Sequence, residues 1–396
     1  MEKLHSYIHT SLQLIQEYQG EMPFHLFLKK HFRMFKKFGS RDRRWIKTMT
    51  YAWFRTGEMF AEMESVHRLL SSFYLVQNIQ DAKAEEIMLN GGLQFESIDF
   101  TLDYASKLNW IEKSIGKVDR EKCFPVQFKL TEELDRESFF IGLLQQPKVW
   151  LRVRKGKMNL VKSELEASEI SYSIHPEISN AISIDQGVSL DKLKMIEAGN
   201  AEIQDISSQK TLQFMPANSG EYWYDACAAS GGKSLLLMDA VEGIHLTVSD
   251  NRESILVNLK ERFKRNKISK YESMIVDFTN EAHGNFKDRK FDGIIADVPC
   301  SGSGTWARTP EQMNLFSDAK LKHYLSLQKI ITEKLCLLLP AGGKLTYITC
   351  SVFKAENEDR VMDLVKNHQM ILLEEKLFKG TEEGADTLYA ALLEKS

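Results

Sequence analysis

From residue 211 onward, short apolar runs alternate with helical segments, and this alternation limits the fold more than any other feature of the chain. The runs Tyr222–Ala226, Ile244–Asp250, Ser273–Asp277, Phe291–Asp297 and Lys344–Thr349 read as strands. Helical patterns separate them, over 235–238, 253–266 and 320–339, and another follows at 356–368. Two further strands are expected near 371–378 and 387–393. Strand and helix in this order predict an α/β fold with a doubly wound, Rossmann-like sheet.

The strand ends carry chemistry. Asp225, Asp250, Asp277, Asp297 and Cys350 close successive strands. Ligands of open parallel sheets sit at these carboxyl ends, so acids repeated there point to a nucleoside-containing cofactor. Asp250 is placed to accept ribose hydroxyls, and Asp277 to reach an adenine amino group or an amine. The loop Cys227-Ala-Ala-Ser-Gly-Gly-Lys233 follows the first strand. It lacks the first glycine of a phosphate-cradling P-loop, since Cys227 stands at that position. A loop without that pattern, followed by acids, suits a positively charged cofactor without phosphates, such as S-adenosylmethionine.

The fourth strand runs into Asp297-Val-Pro-Cys-Ser-Gly-Ser-Gly304. Here a carboxylate and a thiol stand at the mouth of a strand, among glycines that let a ligand approach the backbone. Taken alone, the octapeptide is also compatible with a sharp turn whose cysteine only packs. The five cysteines, Cys123, Cys227, Cys300, Cys336 and Cys350, have no zinc-site spacing, and a reducing compartment with free thiols is expected. No metal is expected. The thiols of Cys227 and Cys336 are expected to pack, Cys123 to be incidental, and His245 and His323 to be ordinary strand and helix residues.

Residues 1–130 read as a helical domain, 131–208 as a small α/β unit, and 209–396 as the doubly wound domain. Charge is uneven. The net charge is only -3, yet Lys29, Lys30, Arg33, Lys36, Lys37, Arg41, Arg43, Arg44, Lys47 and Arg55 crowd one stretch with Asp42 as its lone acid. Aromatics interleave with them, among them Phe32, Phe35, Phe38 and Trp45. Such a cluster favours a phosphate-binding face over scattered solvated lysines. In the small unit, Val149-Trp-Leu-Arg-Val-Arg154 alternates as a strand, and Arg152, Arg154, Lys155 and Lys157 are expected on or beyond one side of it, where RNA is one partner and plain solvent the other. No run is long and apolar enough for a membrane span and the N-terminus lacks a signal pattern, so a cytoplasmic protein without a membrane partner is expected, as a monomer.

These motifs resemble the RsmB/Sun family of RNA 5-methylcytosine methyltransferases. Asp225-Ala-Cys-Ala-Ala-Ser-Gly-Gly-Lys233 is similar to that family's cofactor loop, Asp297–Gly304 to its substrate loop, and Thr349-Cys-Ser351 to its nucleophile motif. Trp150-Leu-Arg-Val153 and Gln204–Gln209 resemble the edges of its small RNA-binding subdomain. Ser40–Arg44 and Tyr51–Arg55 resemble the NusB-like domain of bacterial members. Two departures stand out. Ser230 replaces the usual loop proline, which bears on cofactor affinity, and Ile255 stands where an arginine is common, with Arg252 nearby as a substitute.

The resemblance implies methylation of carbon 5 of cytosine in RNA, most simply ribosomal RNA, with S-adenosylmethionine as cofactor. It assigns the covalent addition at carbon 6 to Cys350 and help in product release to Cys300. Asp297 would hold the cytosine near nitrogen 3, and Lys233 would position that acid or the base. The implied cofactor contacts are Cys227, Ala228, Ala229, Ser230, Gly231, Gly232, Lys233, Asp250, Asp277 and Asp297. Two other readings compete: a DNA cytosine methyltransferase using Cys300, and an RNA-binding assembly factor without turnover.

Overall fold

A computed structural model describes residues 2–91, 98–116, 118–124, 127–185, 190, 193–280, 286 and 289–396. The chain forms two compact units. The first comprises Met1–Phe128, Asp135–Gln146 and Trp306–Ser317; the second comprises Lys129–Leu134, Pro147–Thr305 and Asp318–Ser396.

The first unit is helical: α1 (Glu2–Glu17), α2 (Phe24–Met34), α3 (Ser40–Arg55), α4 (Ser65–Val76), α5 (Ala82–Asn90), α6 (Tyr104–Ile115) and α7 (Arg136–Leu144). On α3, Trp45, Ile46, Met49, Ala52 and Phe54 recur at helical spacing and are buried. The opposite face carries Arg41, Arg43, Arg44 and Lys47, all exposed. Asp42, the lone acid there, accepts Tyr7 Oη at 2.5 Å and the Gly39 amide at 2.8 Å, so it secures the start of α3. Arg55 departs from the basic face. It is buried and donates to the Leu143 and Gln145 carbonyls at 3.0 and 3.1 Å, capping the end of α7. The segment Trp306–Ser317 completes this unit. Trp306 packs on Phe124 and Phe316 with ring centroids 5.2 Å apart in each case, and Asn314 Nδ2 donates to the Phe54 carbonyl at 2.8 Å.

The second unit holds two sheets. β1 (Val149–Val153), β2 (Tyr172–Ile174), β3 (Ala181–Ile184) and β4 (Ala201–Ile203) form an antiparallel sheet in the order β2-β3-β1-β4. The helices α8 (Met158–Ala167) and α9 (Lys194–Glu197) bury Val161, Leu165, Met195 and Ile196 in a core with Leu151, Val153 and Ile182. The alternate side chains of β1 do not face solvent. Arg152 is 3% exposed and donates to Gln204 Oε1 at 2.7 Å and to Asp239 Oδ2 at 2.5 Å. Arg154 pairs with the same Asp239 at 2.6 Å. The expected RNA contact of these two arginines is therefore corrected: the larger sheet's helices cover this side of the strand. Glu202, opposite Arg152 across the ladder, is 1% exposed and takes Arg262 at 2.7 Å, Arg265 at 3.2 Å and Asn266 at 2.5 Å. A buried ionic seam thus ties the small sheet to the large one. Lys155 and Lys157 stay exposed.

After α10 (Ile206–Lys210) the larger sheet begins with β5 (Tyr222–Asp225), α11 (Gly232–Ala240), β6 (His245–Asp250), α12 (Glu253–Arg265), β7 (Glu272–Ile275) and β8 (Gly293–Asp297). The five-residue α13 (Pro310–Asn314) belongs to the helical unit, and the sheet resumes with α14 (Asp318–Cys336), β9 (Lys344–Thr349), α15 (Glu358–Asn367), β10 (Met370–Phe378) and β11 (Leu388–Lys395). The strand order is β10-β11-β9-β8-β5-β6-β7. β9, β8, β5, β6 and β7 are parallel, and the β10–β11 hairpin adds antiparallel to β9. The order reverses at β5, and such a switch point opens a crevice at the carboxyl ends of the strands. Two strands of this sheet stop or start two residues inside the expected spans. β7 stops at Ile275 because the Asp277 side chain accepts the Thr279 amide at 2.9 Å, turning the chain out of the ladder. β8 starts at Gly293, where a Cβ would lie 2.3 Å from the Trp223 ring carbons.

Candidate active site

The crevice gathers most of the expected residues. Asp225 ends β5 fully buried, with Ser234 Oγ donating to Oδ2 at 2.6 Å. Burial pushes its carboxyl up to about 7, against the Ser234 hydrogen bond, and the neighbouring Asp297 adds to the rise. Its Oδ1 has no hydrogen-bond partner among the described residues. Ala228 and Ala229 follow, then Ser230, which accepts from Arg262 Nη1 at 3.3 Å. Gly231 has φ +82°, and a Cβ there would sit 2.6 Å from Phe263. That left-handed turn lets α11 start at Gly232 and aims Lys233 at the strand ends.

Lys233 Nζ bonds Asp297 Oδ2 at 2.9 Å. Burial disfavours its charge, but Asp297, Cys350 and Asp225 outweigh that and raise its pKa. A persistent cation therefore stands beside Cys350. Asp250 ends β6 and accepts the Ala229 amide at 3.1 Å, while Arg252 reaches it through its amide at 3.0 Å and its Nε at 2.9 Å. Arg252 thus engages the carboxylate, and Ile255 plays no part in it. Asp277 lies two residues beyond β7, with Thr279 Oγ1 donating to it at 2.6 Å.

Cys300 and Cys350 come from loops after the adjacent strands β8 and β9, and the Cys350 amide donates to Cys300 Sγ at 3.3 Å. The hydrogen bond with the Cys350 side chain, burial, and the charges of Cys350 and Glu356 raise the Cys300 thiol well above its ordinary pKa. Cys300 is therefore held protonated, as suits an acid or a resting thiol. Gly304 locks the loop. Its amide donates to the Cys350 carbonyl at 2.8 Å, and a Cβ there would meet the Thr387 carbonyl oxygen at 1.9 Å.

Cys227 is also raised well above its ordinary value, by burial first and then by Asp225, Asp297 and Asp250, which fits a packing thiol. Cys336 and Cys123 are buried, and burial pushes them up to about 11 and about 12. His245 stacks on Tyr222 at the start of its strand, away from the crevice. One residue escaped sequence reasoning. Glu356, buried just before α15, accepts hydrogen bonds from the residues after both cysteines. Its position before a helix offered only a helix-start signal.

This sheet order with its strand-end acids is that of the Rossmann-like S-adenosylmethionine-dependent methyltransferases. Residues 210–389 match the model of the family described as 16S rRNA methyltransferase RsmB/F. The chain is 30% identical over 235 residues to ribosomal RNA small subunit methyltransferase B of Pectobacterium carotovorum, a match covering 57% of this chain and 52% of that protein. The protein of the same name from Yersinia pseudotuberculosis is 28% identical over 265 residues, 63% of this chain and 61% of that one. The matched part thus spans about half to three-fifths of these curated relatives. Among solved structures, PH0851 superposes with a TM-score of 0.68 at 18% identity, covering 98% of each chain. NSun6 from Pyrococcus horikoshii, solved with SFG, gives 0.59 at 15% identity over 72% of this chain and 97% of that one. These two likenesses concern the fold. No helix among the described residues is long and apolar enough to cross a membrane.

Proposed function

We propose that this chain methylates carbon 5 of a cytosine in ribosomal RNA, in the cytoplasm, with S-adenosylmethionine as methyl donor. The observation that carries the reading is the cysteine pair at the ends of adjacent strands, 3.3 Å from the Cys350 amide to Cys300 Sγ, beside the Lys233–Asp297 pair at 2.9 Å. The carboxylates at the crevice fit a cationic cofactor. Asp225 and Asp297 repel each other with Lys233 as a nearby cation, and Asp225 Oδ1 lacks a hydrogen-bond partner among the described residues. The backbone of Cys227–Gly232, with Asp250 and Asp277, would hold the cofactor, which supplies an electrophilic methyl group when bound. Ribose hydroxyls at Asp250 would share that carboxylate with Arg252.

Carbon 5 of cytosine is a poor nucleophile until another group adds at carbon 6. The Cys350 thiolate, next to Lys233, forms the sulfur–carbon 6 bond, and Asp297 holds the ring near nitrogen 3 as charge moves there. Carbon 5 then takes the methyl group. Loss of the carbon 5 proton to a base expels Cys350 and restores the ring. Cys300 assists that release. The base must first leave any stack, at a cost of a few kcal/mol, which is smallest in loops. The exposed cations Lys29, Lys30, Arg33, Lys36, Lys37, Arg41, Arg43, Arg44 and Lys47 on the helical unit would bind the RNA backbone.

Denaturing gels of the full chain incubated with a 16S rRNA transcript and S-adenosylmethionine test the assignment. Cys300→Ala is expected to leave protein covalently on RNA, and Cys350→Ala to leave none. The reverse pattern would make Cys300 the nucleophile, as in the DNA-methyltransferase reading. No 5-methylcytosine formed by the unmodified chain would sink the proposal.

A further inference from the structure

Glu356 is fully buried, yet all its acceptor positions are used. Oε1 takes the Ser301 amide at 2.8 Å and Gln328 Nε2 at 3.0 Å. Oε2 takes Ser301 Oγ and Ser351 Oγ, each at 2.5 Å. Ser301 follows Cys300 directly, and Ser351 follows Cys350 directly. Gln328 extends the clasp by donating to the Pro299 carbonyl at 3.0 Å, on the other side of Cys300. Ser303 bridges the same loops, with its Oγ 3.2 Å from Ser351 Oγ and accepting the Val352 amide at 2.9 Å. Four donors converging on one carboxylate suit the ionised form. A buried charge so placed is costly to leave unpaired, so the arrangement holds only while both loops supply their donors.

We propose that Glu356 is a positioning residue that clasps the two cysteine loops in one register and keeps a fixed negative charge behind Cys300. This rests on the reading of Cys350 and Cys300 given above, and Glu356 acts through Ser301, Ser351 and Gln328. The clasp sets the distance between the thiols. Its charge opposes ionisation of Cys300. The other groups facing Cys300 are Cys350 and the phenols of Tyr324 and Tyr347, which remain neutral near pH 7. Burial works against the charge on Glu356 itself and raises its pKa, while the Ser301, Ser351 and Gln328 hydrogen bonds hold it down.

Alkylation of the full chain by iodoacetamide, followed over pH and read at Cys300 by peptide mass spectrometry, tests this without RNA or cofactor. Glu356→Gln keeps the shape and removes the charge. The Cys300 midpoint is expected to fall by about one pH unit. Methylation of a 16S rRNA transcript is expected to lose about 100-fold in kcat, with KM for S-adenosylmethionine held within about twofold. A Cys300 profile superimposable on that of the unmodified chain overturns the proposal. If Glu356→Gln does not fold, Ser351→Ala removes one donor from Oε2. A kcat unchanged in that variant overturns the clasp, and a loss of about tenfold supports it. An unmodified chain that methylates nothing would defeat the functional reading alone, since the alkylation profiles would still decide the role of Glu356.

Discussion

Lys233 is held between opposing influences. Burial acts against its charge, and Asp297, Cys350 and Asp225 act for it more strongly, so its folded pKa lies above the ordinary 10.5. Its charge is therefore present throughout the working pH range and does not titrate there. Replacing it matters more than changing pH. Lys233→Met is expected to lower kcat by about 100-fold, as loss of a preorganised electrostatic partner does, while the fold persists by circular dichroism. Lys233 and the two cysteines were legible because each stands in a short motif at a strand end, where topology alone brings them together. Glu356 was not legible. Its donor Ser301 lies 55 positions away, and no periodicity announces that two loops share one carboxylate. Arg152 and Arg154 were misread for a related reason: alternation shows which residues share a side of a strand, not what covers that side.

At the scale of elements, the seam between β1, β4 and the helices α11 and α12 does the joining. Asp239 takes both Arg152 and Arg154. Asp239→Ala would leave Arg152 buried without its carboxylate, and a loss of about 3–5 kcal/mol in urea unfolding is expected. Glu202 adds a pH dependence. Burial opposes its charge, but Arg262, Asn266 and Arg265 together outweigh that and lower its pKa below the ordinary 4.5. A depressed carboxyl stabilises the fold above its unfolded pKa and loses that contribution as pH falls through the folded value. Stability should therefore decline below about pH 4.5, and Glu202→Gln should flatten the decline. The strands themselves were read from the sequence nearly to the residue. The exceptions are the three-residue β4, which no alternation announced, and β7, which an aspartate turn cut short, a contact that pattern does not display.

At the scale of the whole molecule, charge is segregated. A chain of net charge -3 presents nine exposed cations along α2, α3 and the turn between them, and Arg44 has an ion pair with Asp81, at 3.6 Å. If these cations meet RNA phosphates, binding must weaken with salt. Neutralising Lys36, Lys37 and Arg41 together should lower the slope of log affinity against log salt by about 2 for single-stranded RNA, in filter binding of a 16S rRNA transcript. An unchanged slope would move the backbone contact elsewhere.

The helical unit is not a contiguous stretch of chain. Trp306–Ser317, which closes it, follows the Cys300 loop and comes after most of the strands of the other unit. On a ribosome making this protein from its amino end, the helices would be finished long before the tryptophan that fills their core. They must wait for residues 145–305, between Leu144 and Trp306, to emerge. The last large piece of the first unit arrives directly behind the Cys300 loop, so the two are completed at nearly the same moment of synthesis.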